Sequence, residues 1–345
     1  MINEYNLKEI DDAGDTLISD PKNEDALTVL NSWRELHTHF LFDFIPQTSC
    51  NPADIVNSNG CGFDITVSSR AKRAIAIIDK LKRIPRLKLS QIQDIVGMRY
   101  VLTPTNSQSD NNRLFTDFIE RQKEFLSDCF VIERVRDLVM HPCKTGYRSV
   151  HFVLKNVNSE RPEFDGLRFE LQIRTRYQHL WAMAIETVDK VYGKRLKVSK
   201  TDDADGWSDF FKCVSALFAV KENMPVVEIY ANDDETTINN KLTALNKDSF
   251  IAKLSSLPIT VRESSGTNYD YCILEVDFKR HTIHIFGVNS DTLDLALAFY
   301  KSREQNPDYV SGDVDIVLVS VKDVQYICEA YPSYFLDIKE FLSLL

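Results

Sequence analysis

The sequence predicts an α/β (α+β) fold, a mixed sheet flanked by helices and followed by a small β-β-α-β-α C-terminal domain. Three observations carry this. Residues 169–175, Phe-Glu-Leu-Gln-Ile-Arg-Thr, alternate apolar and polar side chains, the period of a strand. On either side, short apolar or alternating runs trade places with stretches of helical periodicity. Around Glu222–Pro225 the pattern resets and a second, shorter series begins.

In chain order, 23–42 reads as an amphipathic helix through Leu27, Leu30, Trp33 and Leu41, and 65–68 as a short strand. Ser69 suits the N-cap of a helix reaching Arg83 before Pro85. A buried strand at 97–103, a helix at 112–127 and strands at 129–135 and 149–155 follow, with the 142–147 loop between the last two. The 167–174 strand precedes helices at 177–192 and 207–220. Beyond the reset, 241–257 looks helical, 271–278 and 281–288 form a hairpin across Lys279-Arg280, and a helix at 292–303 leads to an apolar strand at 314–320. The expected domains are 1–224, a connecting helical segment 225–258, and a regulatory domain 259–345.

The 345 residues are 43% apolar and 27% charged, ordinary for a globular protein. No 18-residue apolar run is present and the N-terminus is acidic and polar, so a cytoplasmic protein with no membrane partner is expected. Seven scattered cysteines without a C-x-x-C point to neither a disulfide framework nor a zinc site. The net charge of −10 is unevenly spread: residues 1–67 carry −9 and 201–345 carry −12, whereas 68–100 carry +7 and 131–200 carry +6. A basic middle between acidic ends suits a polyanionic substrate, with internal charge pairing as the plainer explanation.

Four local patterns bear chemistry. Arg70-x-Lys72 with Lys80 and Arg83 places cations on one face of the expected helix, apt for a chain of phosphates. Asp94-Ile-Val-Gly97-Met-Arg99 sets an acid at the mouth of a buried strand, where it can hold Mg²⁺. Lys144-x-Gly146-Tyr147-x-Ser149-x-His151 reads as a glycine-hinged loop presenting an exposed tyrosine on which a base can stack. The 169–175 strand puts Glu170, Gln172 and Arg174 on one face, a metal-ligand type beside a phosphate-binding type, the chemistry of phosphoryl or pyrophosphoryl transfer. Each pattern alone is commoner as a solvated face or a packed loop.

Together and in this order, over residues 25–220, they resemble the synthetase domain of the RelA/SpoT family, alarmone synthetases with a nucleotidyltransferase-like sheet. The resemblance implies an ATP-dependent pyrophosphokinase using Mg²⁺, with Asp94 and Glu170 as catalytic and metal-holding carboxylates. It assigns ATP to Arg70, Lys72, Lys80, Arg83 and Arg99, with Arg70 and Arg99 flanking adenine. The acceptor falls to Lys144, Tyr147, His151, Gln172 and Arg174. The chain departs from the family at Ala76, where a serine is frequent.

A second resemblance, to CapRel-type fused toxin–antitoxin phage-defence proteins within the toxic small alarmone synthetase branch, rests on the C-terminal unit and its Tyr331-x-x-Tyr334 pair. It implies an autoinhibited toxin that pyrophosphorylates the 3′ CCA end of tRNA, with Tyr331 and Tyr334 plugging the ATP site until a phage capsid protein binds the tail. The basic run with Lys190, Lys194, Arg195 and Lys197 suits tRNA phosphates. The alternative acceptor is a free nucleotide, giving (p)ppGpp or (p)ppApp, and a monomer is expected.

Overall fold

Strand β1 (Phe63–Ala71) lies at the centre of a nine-stranded sheet and is hydrogen-bonded on both sides. The structure is a computed structural model that describes residues 6–52, 62–105, 111–157, 161–192, 196, 205–256, 260–262, 269–277, 280, 282–304, 314–321, 327 and 338–345. On one side of β1 come β2 (Val96–Pro104), β5 (Arg168–Thr175), β4 (Val150–Lys155) and β3 (Val131–Asp137), in that spatial order. β2 and β5 run parallel and the other neighbours antiparallel, giving the expected mixed sheet.

The C-terminal strands do not form a sheet of their own. β9 (Val314–Val321) pairs with β1 through Ser68↔Val321, Ser69↔Ser320 and Arg70↔Val319. β7 (Tyr271–Asp277), β8 (Thr282–Val288) and β6 (Thr260–Arg262) continue the sheet beyond β9. Backbone pairing therefore crosses the boundary expected at residue 224.

Helices cover both faces. α1 (Leu7–Ser19), α2 (Glu24–His39), α3 (Ala74–Arg83) and α4 (Asn111–Cys129) share a core with Tyr100, Phe152, Phe169, Leu171 and Ile173, joined by Leu297 and Tyr300 of α9 (Leu293–Glu304). Asn6 and Asn23 cap α1 and α2 with their side chains, satisfying donors a helix start leaves open. The second core joins α5 (Arg176–Tyr192), α6 (Trp207–Lys221), α7 (Glu235–Ala244), α8 (Lys247–Ser255) and α10 (Lys339–Ser343) around Trp181, Trp207, Phe211 and Phe341.

Three expectations are corrected. Ser69 is not an N-cap: it pairs with Met98 and Ser320, and α3 starts only at Ala74. A two-sided ladder outweighs local helix preference there. The expected helix at 241–257 is two, broken where Asn246 takes φ +60°, a left-handed conformation asparagine tolerates. Cys50 and Cys129, 79 residues apart, form a disulfide that the scattered cysteine spacing concealed. Among the described residues, no helix is long and apolar enough to cross a membrane.

Candidate active site

Cross-strand register assembles the site. Ser68, Arg99, Gln172 and His151 stand opposite one another on β1, β2, β5 and β4, and Arg70, Gly97 and Glu170 form the adjacent row. Side chains two apart on a strand share a face, so both rows point the same way. Phe169, Leu171 and Ile173 are fully buried on the opposite face, confirming the alternation read from the sequence. Ser68, Arg99 and Gln172 of the first row and all three residues of the second floor a cleft lined also by Lys72 and Asp94. Gly97 permits this closeness: a Cβ there would meet the Glu170 carbonyl oxygen at 3.1 Å.

Asp94, two residues before β2, receives Lys72 Nζ on Oδ2 at 2.5 Å and Lys80 Nζ on Oδ1 at 2.7 Å. Burial opposes its ionisation, but the two ammonium groups prevail and hold its pKa at about 2. Lys72 is itself pulled below its ordinary pKa, chiefly by burial, against the attraction of Asp94. The two lysines reach Asp94 from different elements, since Arg70 is on β1, Lys72 in the connection and only Lys80 and Arg83 on α3. The single cationic helix face expected from the sequence is thus replaced by a strand-turn-helix grip. Arg83 is exposed in the last turn of α3, off the cleft lining.

Glu170 accepts from Gln172 Nε2 at 2.6 Å and bonds His151 Nδ1 at 2.7 Å. Burial raises its pKa and Asp94 adds to that, yet the bonds from His151 and Gln172 bring it to about 2. Burial alone would lower the His151 pKa; the phenolic oxygen of Tyr147 and the Glu170 carboxylate reverse that and raise it.

Tyr147 is not the exposed platform expected from its loop. It is 8% exposed, and its hydroxyl bonds His151 Nε2 at 2.8 Å and accepts from Arg174 Nη2 at 2.7 Å. Arg174 is fully buried, also donates to Gln172 Oε1 at 2.8 Å, and lies 5.3 Å from the Tyr147 ring centroid. The cause is the loop's seat against α5 and α6: Gly146 has φ +90°, its carbonyl accepts from Ser215 Oγ, and a Cβ there would meet Ser215 at 3.0 Å and Trp181 at 3.2 Å. Lys144 is exposed in the same loop.

The sites expected at Lys194, Arg195, Lys197, Tyr331 and Tyr334 lie outside the described residues, as does the side chain of Lys190. Ser68, which lines the cleft, was not singled out from sequence, because a serine within a strand carries no spacing signal.

Comparison with known proteins fits this arrangement. Residues 69–195 match the family model described as a region found in RelA / SpoT proteins. This span is similar to a region of RelA / SpoT proteins. It contains Arg70, Lys72, Asp94, Arg99 and Glu170, which line the cleft, together with Lys80 bonded to Asp94, His151 bonded to Glu170 and Tyr147 bonded to His151. Uncharacterized proteins of Mycobacterium tuberculosis and Mycobacterium bovis are 33% identical over 136 residues, 39% of this chain and 43% of theirs. The match therefore spans less than half the length of those relatives. Among solved structures, small alarmone synthetase 1 of Bacillus subtilis bound to its product pppGpp is 19% identical, covering 56% of this chain and 93% of that one, with a TM-score of 0.43. Small alarmone synthetase 2 of the same organism is 18% identical, covering 65% and 98%, with a TM-score of 0.40.

Proposed function

We propose that this chain is an ATP-dependent pyrophosphokinase. An acceptor ribose 3′-hydroxyl attacks the β-phosphorus of ATP, the bond to the α-phosphate oxygen breaks, and AMP leaves. The observation that carries the reading is two ionised carboxylates, Asp94 and Glu170, in one cleft with Arg70, Lys72, Lys80 and Arg99 around them.

The donor set suits Mg²⁺, a hard cation that takes one or two carboxylates and completes its shell with phosphate and water. Among the described residues no group of three or more His, Cys, Asp or Glu side chains could hold a metal on protein ligands alone, which agrees with a metal that arrives with nucleotide. Asp94 and Glu170 would hold it, and it would offset phosphate charge. Lys72 and Lys80 would then exchange Asp94 for phosphate oxygens, while Arg70 and Arg99, neighbours on the sheet face, flank adenine. Glu170, with a pKa of about 2, is a weak base, so we assign it to metal holding and orientation. Phosphoryl transfer through a loose transition state depends more on such positioning than on base strength.

For the acceptor we propose the 3′ CCA end of tRNA, supported by the +6 charge of residues 131–200 and the basic run 190–200. In this reading the protein is an autoinhibited, translation-blocking toxin of anti-phage defence. Its C-terminal region responds to a phage capsid protein, with Tyr331 and Tyr334 as the restraint. Pairing of β9 with β1 beside Arg70 supports communication between that region and the donor site. The second reading, a synthetase of (p)ppGpp or (p)ppApp, is favoured by the modest cleft.

γ-Labelled ATP with Mg²⁺ and either tRNA or GDP and GTP separates the two. Label in tRNA is expected, with Tyr331→Ala/Tyr334→Ala raising it. Label confined to small nucleotides would sink the tRNA reading, and none in any acceptor, even with a capsid protein present, would sink the enzyme.

A further inference from the structure

Lys72 is fixed by its backbone as well as by Asp94. Its N–H donates to the Ile95 carbonyl at 2.7 Å, and its own carbonyl accepts from Arg34 Nε at 3.0 Å. Arg34 is a buried residue of α2 whose guanidinium continues to Glu304 on α9, Nη1 to Oε2 at 2.5 Å and Nη2 to Oε1 at 3.2 Å. Glu304 Oε1 also accepts from the Tyr300 hydroxyl at 3.0 Å and from the Ala74 N–H at 3.3 Å. Ala74 opens α3, and the side chain of Arg73, at the cap position, does not cap the helix; it pairs with Asp315 instead. Glu304 therefore caps α3 from 230 residues away in the chain.

This brace stands behind the cleft, not in it. Ala71 and Leu318 line the crevice around Arg34 and Tyr300, whereas Arg70 and Lys72 line the cleft. Residues 70 and 71 point to opposite faces of β1. A carboxylate in the cleft would compete with phosphate; one behind it leaves the cleft free and sets the turn from which Lys72 reaches. The Arg34 and Glu304 side chains are only 6% and 10% exposed. A buried ion pair of this kind adds little net stability, so its geometric effect is the more informative one.

We propose that Arg34 and Glu304 are positioning residues for the donor-phosphate end of the site, so that α9 governs how well Lys72 meets a triphosphate. The proposal rests on reading the cleft as an ATP site. Anything that draws α9 away from β1 then weakens ATP engagement without entering the cleft.

The test uses the full chain with Glu304→Ala and Tyr300→Phe, the latter keeping the ion pair and removing one hydroxyl. Two quantities are measured: the acylation rate of Lys72 by acetic anhydride relative to Lys123 of α4, read by mass spectrometry, and the ATP and acceptor KM. In Glu304→Ala, Lys72 labelling rises several-fold and ATP KM rises about tenfold, with acceptor KM unchanged. Tyr300→Phe shifts both in the same direction by less, and carries the test if Glu304→Ala fails to fold. Unchanged Lys72 labelling in folded variants overturns the proposal. So does a loss of active fraction at unaltered ATP KM, which is what a merely structural role would give. Should the wild-type protein use no ATP, the labelling still decides the positioning claim, and the failure belongs to the pyrophosphokinase reading.

Discussion

Asp94 and Glu170 share a cleft, but their partners differ, and so do the consequences of losing them. Asp94→Asn leaves two part-buried ammonium groups without the carboxylate they share, and Glu170→Gln turns one of the two oxygens that accept from His151 and Gln172 into a donor. Each substitution is expected to cut label transfer by about 10²–10³-fold, as removal of one preorganised charge-stabilising group typically does, with circular dichroism retained. Activity within tenfold of wild type would remove that carboxylate from the machinery. Tyr147→Phe removes the hydroxyl shared by Arg174 and His151, in a residue whose ring is already packed. It should cost about 1–3 kcal/mol in denaturant unfolding, the penalty for unsatisfied buried donors. A neutral effect would show that water replaces the hydroxyl.

At the scale of elements, the turn before β4 is locked against α5, α6 and the C-cap of α6. Gly146 lies against Ser215 and Trp181 in a left-handed conformation, so Gly146→Ala should destabilise by about 1–3 kcal/mol, measurable as a lowered denaturation midpoint. Arg148 and Glu222, each 3% exposed, face each other at 3.5 Å, and burial raises the Glu222 pKa to about 7. Below the ordinary value of 4.5 the carboxyl is protonated in both folded and unfolded chains, and burial carries no charge penalty. The penalty grows as pH rises from there through 7. Arg148→Met removes the cation that lowers the Glu222 pKa, so the variant should lose stability progressively as pH rises from 4.5 through 7, and more steeply overall than the wild type. Glu222→Leu strands a cation that cannot be neutralised and should cost about 3–5 kcal/mol. The double variant should be near neutral and insensitive to pH; if it is as unstable as Glu222→Leu, the pair is not an isolated unit.

The alternation of 169–175 revealed both the strand and the shared face of Glu170, Gln172 and Arg174, because a period of two is a local property. The start of α3 was not legible: Ser69 carries a capping signal, but the ladders from β2 and β9 decide its conformation, and β9 lies some 250 residues further on. Tyr147 was misjudged for the same reason, since the α6 residues that bury its loop are distant in sequence. Arg34 and Glu304 belong to no motif at all; only the fold joins them.

Across the whole molecule, the single sheet bears on how independent the C-terminal region is. β9 covers the edge of β1, and Phe341 of α10 packs against Phe211 and Phe218 of α6. A fragment ending at 224 would expose the β1 edge and that aromatic surface, and should aggregate in gel filtration where the full chain does not. A soluble, active fragment would instead restore an independent N-terminal domain, as read from the sequence. The central claim concerns the bond that breaks in ATP. The most direct test quantifies nucleotide products while acceptor is consumed: AMP should appear in equal amount to acceptor bearing a 3′-pyrophosphate, and Asp94→Asn should abolish both. Release of ADP, or no ATP turnover with any acceptor, would contradict the account.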